Sequence, residues 1–288
     1  MKDLVIIFCL VISGYICLAQ SRLDFYHIKS INTAFPDSGR SNGHLYDGVL
    51  YGTEEHYADN HVLIIVPHNF HTDTKVDLLF WFHGWNNNID SAVVRFGLSR
   101  QFAESGINAV LVLAETTKDA PDSYGGKLEQ PDTFRNLIKD VLNKLYEEKI
   151  VPKNCTEGNV ILAGHSGAYR VMANILQNGN VKVNEVILFD ALYAETDKFM
   201  KWLTADNDHR FINLYTDHGG TLDESQGMLK QINDLKLPVA SMEEADLTPA
   251  IVEGNKILII HSLRGHNDII QHPDNFKLFL VGSPFLGK

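Results

Sequence analysis

The sequence predicts an α/β fold in which a mainly parallel sheet carries helices on both faces. Short apolar runs alternate along the chain with longer segments whose apolar residues recur with helical period, the order expected for parallel strands joined by helices. The apolar runs are also continuous rather than alternating, as in residues 77–83, which contain Leu78-Leu79-Phe80-Trp81-Phe82. Continuous runs of this kind suit strands that are buried on both faces of a sheet.

The predicted elements follow one another without a repeat or a linker, so we expect a single domain over residues 20–288. The predicted strands occupy residues 44–51, 62–67, 77–83, 108–114, 160–165, 185–189, 211–215 and 257–260. The predicted helices occupy residues 91–105, 133–149, 169–176, 196–203, 222–235 and 274–281. Residues 21–42 are polar and predict an irregular segment.

Residues 1–19 have the pattern of a secretory signal peptide. Lys2 precedes an apolar run over residues 4–18, and the small residue Ala19 precedes the predicted cleavage site. The alternative is a membrane anchor, but the run is shorter than the span of about 20 apolar residues that a bilayer requires. We therefore expect a secreted or periplasmic protein with no stable membrane insertion after cleavage. The mature chain would keep only Cys155 and no intrachain disulfide.

The charge of the chain excludes some partners. The sequence has 25 Lys and Arg against 36 Asp and Glu, a formal net charge of −11, and it contains no long basic run. An acidic domain is repelled by nucleic acid and by anionic membranes. A small-molecule substrate is the expected partner.

The segment Gly164-His165-Ser166-Gly167-Ala168 lies between a predicted strand and a predicted helix. A serine in a sharp strand-to-helix turn projects its hydroxyl from the edge of the sheet, and small neighbours are needed because strand and helix pass close together. This context predicts a nucleophilic Ser166. The alternative is a serine in an ordinary loop before a helix.

The loop His83-Gly84-Trp85-Asn86-Asn87-Asn88 closes the predicted strand at residues 77–83. An acyl-transfer intermediate needs backbone N–H donors aimed at its oxyanion. We expect these donors to be Gly167 and Trp85, with Asn86 as an alternative to Trp85; a polar loop around a packed tryptophan is the competing interpretation. The side chains expected near the substrate are His83, Gly84, Asn86, Asn87, His165, Tyr124 and Tyr193.

A nucleophilic serine needs a base and an acid that orients it. His266 lies in a loop just after the last predicted strand, and His261 lies at the end of that strand and is less free to move. Asp190 and Asp217 each follow a strand beyond Ser166, so either can be the acid. We favour Asp190, because it directly ends a strongly apolar strand beside the one that carries Ser166.

These residues resemble, in kind and order, those of the α/β-hydrolase superfamily. The matching residues are His83-Gly84, the Ser166 turn, an Asp after one of the next strands and His266 after the last, and the resemblance covers about residues 44–285. It implies an α/β-hydrolase fold and a serine-dependent attack on an ester, amide or thioester. Residues 189–193 and 215–221 resemble a group of secreted bacterial hydrolases. Because only residues 191–209 stand where superfamily members insert large capping domains, none is expected here.

The polar residues of the loops, and the absence of a long apolar lid from the predicted elements, favour a polar or short-acyl ester or amide as the substrate. Such a substrate could come from a carbohydrate or a cell-wall fragment. No cofactor is expected. Two other classes remain open. His68, His71 and Asp73 could bind the metal of a metal-dependent hydrolase. The chain could also be a binding protein that has the hydrolase fold and no chemistry.

Overall fold

The computed structural model describes residues 22–72 and 74–287. The predicted signal peptide at residues 1–19 lies outside the described residues and remains a prediction. Eleven strands are present in this part of the chain: β1 Leu23–Lys29, β2 His44–Tyr46, β3 Val49–Tyr51, β4 His61–Pro67, β5 Lys75–Phe82, β6 Val110–Ala114, β7 Thr156–His165, β8 Glu185–Phe189, β9 Arg210–Thr216, β10 Ala240–Glu243 and β11 Ile257–Ser262.

Nine of these strands form one sheet in the order β1-β4-β6-β5-β7-β8-β9-β11-β10, and β2 and β3 form a separate two-stranded sheet. β4 runs antiparallel to both β1 and β6, whereas every pairing from β6 to β10 is parallel. The mainly parallel sheet predicted from the alternating pattern is therefore confirmed. Its parallel strands end at one edge, where polar loops can meet.

The helices cover both faces of this sheet. Their bounds are α1 Thr53–His56, α2 Ile89–Arg95, α3 Leu98–Ser105, α4 Thr133–Glu147, α5 Tyr169–Asn178, α6 Thr196–Ala205, α7 Leu222–Asp234, α8 Pro249–Gly254 and α9 Asn275–Val281. Buried residues of α4 to α7 belong to one core, and those of α2, α3, α8 and α9 belong to the other. Successive residues of β5 alternate between the two cores, which is why its sequence is apolar throughout.

Several predicted bounds were wrong for physical reasons. The polar stretch predicted to be irregular contains β1, an edge strand whose solvent-facing residues break the apolar run. Residues 44–51 form a hairpin rather than one strand, because Asp47 and Gly48 both have positive φ and make its two-residue turn. The predicted helix 91–105 is two helices that are separated at Gly97, where φ is 58°. β10 and α8 had no prediction.

Only α6 lies between β8 and β9, so no large capping domain stands there. Within the described residues, no helix has the length and apolarity to cross a bilayer.

Candidate active site

Ser166 lies at the turn from β7 into α5. Its backbone φ is 57°, a left-handed conformation that is strained for a residue with a side chain. A Cβ at Gly164 would lie 2.5 Å from Met172 Sδ and 2.7 Å from the Ala168 Cβ, so strand and helix approach too closely for larger residues. The small neighbours that predicted this turn are thus required by its packing.

Asp190 and His266 meet beside this turn. Asp190 is fully buried at the end of β8, and its Oδ2 lies 2.6 Å from His266 Nδ1. The carboxylate also accepts hydrogen bonds from the Thr216 hydroxyl at 2.7 Å, from the Thr216 N–H at 3.1 Å and from the Thr221 hydroxyl. Because a carboxylate only accepts, the proton of the imidazole lies on Nδ1, and Nε2 is left as the nitrogen that can accept a proton.

The Asp190 carboxyl is held in its charged form. Burial raises its pKa, but the hydrogen bonds from His266, Thr221 and Thr216 together act more strongly and bring the pKa below its ordinary value of 3.8. The acid beside His266 is therefore a carboxylate across the neutral pH range. This charge stabilises an imidazolium that forms when His266 takes up a proton.

Asp217, the alternative acid, lies elsewhere. Its Oδ1 is 2.8 Å from His261 Nε2, and His261 Nδ1 is 2.8 Å from Glu243 Oε2. Asp217 thus contacts the histidine at the end of β11, whereas Asp190 contacts His266 in the loop that follows.

His165 packs behind the site rather than at the substrate, because its ring is buried against Phe96 and against His266, at a centroid distance of 4.4 Å from the latter. Its Nε2 lies 2.9 Å from the His266 carbonyl oxygen, which can only accept, so Nε2 donates. Burial and, to a smaller extent, the repulsion from His266 lower the pKa of His165 to about 3. The neutral ring of His165 therefore fixes the backbone of His266.

The loop after β5 abuts the serine. A Cβ at Gly84 would lie 2.5 Å from the Ser166 Cβ and 2.9 Å from the Gly167 nitrogen. The Asn86 N–H donates to the Ala120 carbonyl at 3.0 Å, which removes it as a donor to substrate. Among the described residues, the N–H groups of Trp85 and Gly167 have no hydrogen-bond partner. These two donors are the ones that the sequence favoured.

His83 is buried beneath this loop and supports it. The ring is buried, with Nε2 2.5 Å from Glu115 Oε1 and Nδ1 2.8 Å from the Gly84 carbonyl oxygen. Burial lowers the pKa of His83, but the Glu115 charge and hydrogen bond outweigh it and the pKa is raised. Both ring nitrogens face acceptors, so both carry protons and the imidazolium holds Gly84 in place.

A pocket of about 380 Å³ opens over Ser166. It is lined by Trp85, Ser123, Ser166, Gly167, Tyr169 and Tyr193. Of these, Tyr169 was missed, although its position three residues after Ser166 in the first turn of α5 could have identified it. Ser123 belongs to the irregular insertion at residues 115–132, which the sequence suggests as one wall of the site without singling out this side chain.

Tyr193 is a wall residue that contacts two other parts of the site. Its hydroxyl donates to the Gly219 carbonyl and its ring lies 6.4 Å from the His266 ring. Burial and the Asp190 charge raise the pKa of Tyr193 to about 12. The hydroxyl is thus protonated at neutral pH and connects the wall of the pocket to the loop after β9.

Ser123 is held at the wall by its neighbours. Its Oγ accepts a hydrogen bond from the Trp85 indole at 2.7 Å. Asp122 is fixed by Arg40 at 2.7 Å and by the Tyr57 hydroxyl at 3.1 Å. Tyr124, which was expected at the substrate, lies between the guanidinium groups of Arg40 and Arg170 and donates to Asp37. Tyr124 therefore supports the wall from outside the pocket.

The loop asparagines do not line the pocket either. Asn87 is buried, and its Oδ1 accepts from the Asn88 N–H at 3.0 Å. The Asn88 side chain caps α2 by accepting from the Ser91 N–H at 2.9 Å. Asn86 is exposed beyond the pocket wall. These asparagines therefore give no support to the expectation of a polar substrate, whereas Tyr193, which also suggested it, does line the pocket.

Two residues of the metal alternative, His68 and His71, have other partners. His68 Nε2 lies 3.2 Å from Asp24, and His71 Nδ1 lies 3.2 Å from the Asn69 carbonyl oxygen. Asp73 lies outside the described residues. Within residues 22–72 and 74–287, no group of three His, Cys, Asp or Glu side chains is placed to hold a metal ion.

Comparisons with known proteins identify the fold. No family model and no curated protein matches the sequence. Among solved structures, a ferulic acid esterase is 11% identical with a TM-score of 0.54, covering 91% of this chain and 99% of the other. An S-formylglutathione hydrolase from Staphylococcus aureus is 9% identical with a TM-score of 0.51, covering 89% of this chain and 99% of the other. The central sheet, its helices and these likenesses agree that the chain has the α/β-hydrolase fold.

Proposed function

We propose that this chain is an exported serine hydrolase that cleaves a carboxylic ester, with an amide as the less favoured substrate. Ser166 is the nucleophile, His266 the general base and Asp190 the acid that orients it, and an acyl-enzyme forms on Ser166. The observation that carries the proposal is the 2.6 Å contact of a fully buried Asp190 with His266 Nδ1, next to a serine with φ of 57°.

The chemistry of these groups and the contact between Asp190 and His266 support these roles. His266 Nε2 takes the Ser166 proton during attack and returns it to the leaving oxygen, while the Asp190 carboxylate stabilises the imidazolium. The N–H groups of Trp85 and Gly167 hold the oxyanion, since they are unpaired within the described chain and Gly84 lies against Ser166. No metal or cofactor has a role in this scheme.

The acyl part of the substrate is short. A pocket of about 380 Å³ is near the lower limit of the roughly 300–1,000 Å³ typical of ligand sites, so a long chain does not fit inside it. Rates on a series of nitrophenyl esters should fall as the acyl chain lengthens. A maximum at long chains would contradict this part of the proposal.

A fluorophosphonate probe tests the nucleophile. The wild-type chain and a Ser123→Ala variant should be labelled, whereas Ser166→Ala should not; Ser123 is the matched control, because it is the other serine that lines the pocket. Ser166→Ala and His266→Ala should also lose several orders of magnitude in kcat with little change in unfolding. A Ser166→Ala variant that keeps more than about a tenth of the rate would contradict the mechanism. Full activity after dialysis against a chelator would separate this reaction from a metal-dependent one.

A further inference from the structure

Exposed apolar side chains concentrate on the small β2–β3 hairpin and the tryptophan beside it. The exposed fractions are 67% for Leu45, 43% for Tyr46, 53% for Val49, 64% for Leu50 and 41% for Trp85. Such a concentration of exposed apolar side chains on an otherwise acidic protein indicates a binding surface rather than scattered exposure.

The hairpin has two different faces. Tyr46 pairs with Val49 across the strands and Leu45 pairs with Leu50, so the alternation of side chains places the two pairs on opposite faces. The Tyr46 ring lies edge to face with the Trp85 indole, at 5.3 Å between centroids. The face with Tyr46 and Val49 therefore continues onto Trp85, and the face with Leu45 and Leu50 is turned away.

Trp85 belongs to both the hairpin surface and the pocket. Its indole lines the cavity over Ser166, and the hydrogen bond from Nε1 to Ser123 fixes the plane of the ring. A pocket of about 380 Å³ holds only one part of an ester, so the rest of a larger substrate must lie over the rim. The side of the rim that Trp85 forms leads directly to Tyr46.

We propose that Tyr46, Val49 and Trp85 form an aromatic shelf that binds an aromatic or flat apolar group of the substrate outside the pocket. This inference rests on the proposed ester hydrolysis at Ser166. The shelf suits such a group, because aromatic rings gain from edge-to-face and offset contacts beyond the area that they bury. It makes the enzyme selective for esters with an apolar arm, although its pocket is small.

Two other occupants fit this surface less well. Insertion of the hairpin into a membrane would bury Asp47, which is exposed at the tip, and the net charge of −11 opposes anionic lipid. A second copy seated on the shelf would cover the mouth of the pocket, since Trp85 is part of both.

The test compares esters that differ only in an aromatic arm. Ethyl acetate is compared with 2-phenylethyl acetate, which has the arm on the alcohol, and with ethyl 3-phenylpropanoate, which has it on the acyl group. All three have primary alkoxide leaving groups, so intrinsic reactivity changes little. At least one aromatic ester should show a kcat/KM that is greater by roughly fivefold or more.

Two matched variants then locate the effect. The gain is measured within each variant, as the ratio of kcat/KM for the aromatic ester to that for ethyl acetate. Tyr46→Ser should bring this ratio close to one, whereas Leu45→Ser, on the opposite face of the same hairpin, should keep the wild-type ratio. Three results would overturn the shelf. The first is no gain with either aromatic ester, the second is a gain that persists in Tyr46→Ser, and the third is a gain that is lost equally in Leu45→Ser. Turnover of ethyl acetate without an aromatic gain defeats the shelf alone, and absence of both turnover and fluorophosphonate labelling defeats the proposed function as well.

Discussion

At the scale of single residues, the candidate site depends on hydrogen bonds whose direction is fixed by acceptor-only partners. Asp190 accepts from His266 Nδ1, and the His266 carbonyl accepts from His165 Nε2. One histidine therefore has its ring oriented by a carboxylate and its backbone held by a second, neutral histidine. Sequence reasoning could place Asp190 and His266 after their strands, but the role of His165 depends on burial, which no motif specifies.

Replacement of the acid gives the first residue-scale prediction. In Asp190→Asn the amide can donate to His266 Nδ1, which moves the imidazole proton to Nε2 and prevents that nitrogen from accepting the serine proton. We expect kcat to fall by up to roughly 10⁴-fold, as found for tautomer loss in triads. Asp217→Asn is the matched control and should retain most activity. If the larger loss in steady-state kinetics followed Asp217→Asn, the assignment of Asp190 would fail.

Replacement of Glu115 tests whether this carboxylate, through His83, supports the loop after β5 that contains Gly84 and Trp85. Glu115→Gln removes the charge that keeps His83 protonated on both nitrogens, so the contact with the Gly84 carbonyl weakens and the loop shifts relative to Ser166. The expected result is a roughly tenfold lower kcat with little change in KM, which is less than the 10²–10³-fold cost of losing a donor outright. Glu104→Gln, on the outer surface of α3, should have no effect; equal effects of the two variants would contradict the role of Glu115.

At the scale of elements, a buried ion pair connects the beginnings of β8 and β9 to the C-terminal helices α8 and α9, which pack on the same face of the sheet. Glu185 begins β8 and Arg210 begins β9, and they contact each other in the interior with exposed fractions of 0% and 1%. Arg210 Nη2 also donates to the Val252 carbonyl of α8 at 2.6 Å, and Glu185 accepts from Ser283, just after α9, at 2.5 Å. The pair thereby fixes two short C-terminal elements against the sheet.

Loss of one partner should therefore be costly. Arg210→Ala leaves Glu185 buried and unpaired, and we expect the free energy of unfolding to fall by about 3–5 kcal/mol. The double variant Glu185→Leu, Arg210→Met should recover much of this loss, because it leaves no uncompensated charge. Chemical denaturation of the three proteins measures both values. A single variant as stable as wild type would show that the pair has no structural role.

At the scale of the whole molecule, the sequence predicted the sheet better than its margins. The continuous apolar runs of β5 to β9 identify strands buried on both faces, and these strands form the parallel part of one sheet. β1 and β10 were missed, because an edge strand faces solvent and loses the continuous apolar pattern. The pocket walls were predicted only in part for a related reason: Ser123 lies in an insertion that has no periodic signal, and contacts such as that with Trp85 place its side chain.

The stability of the whole chain should respond to pH through His261. Burial lowers the pKa of His261, but the hydrogen bonds that its ring donates to Asp217 and Glu243 act more strongly, so the pKa is raised above 6.5. A raised histidine pKa stabilises the folded state fully below 6.5, and this stabilisation is lost as the pH rises through the folded value. The stability difference between wild type and His261→Gln should therefore shrink from pH 5.5 towards pH 9 in denaturant titrations.

The carboxylates provide the control for this pH dependence. A double variant Asp217→Asn, Glu243→Gln keeps His261 but removes both charges, so its stability should not change with pH in this way. A difference between wild type and His261→Gln that stayed constant across the range would contradict the effect.

The left-handed backbone conformation of Ser166 lowers the thermal stability of the protein while it serves the proposed activity. A non-glycine residue at φ of 57° costs of the order of 1 kcal/mol or more, a cost that glycine does not incur. Ser166→Gly should therefore unfold at a higher temperature than the active protein while hydrolysing nothing. A laboratory selection for thermal resistance alone would tend to discard the nucleophile, so any stabilised version of this chain must be screened for turnover at each round.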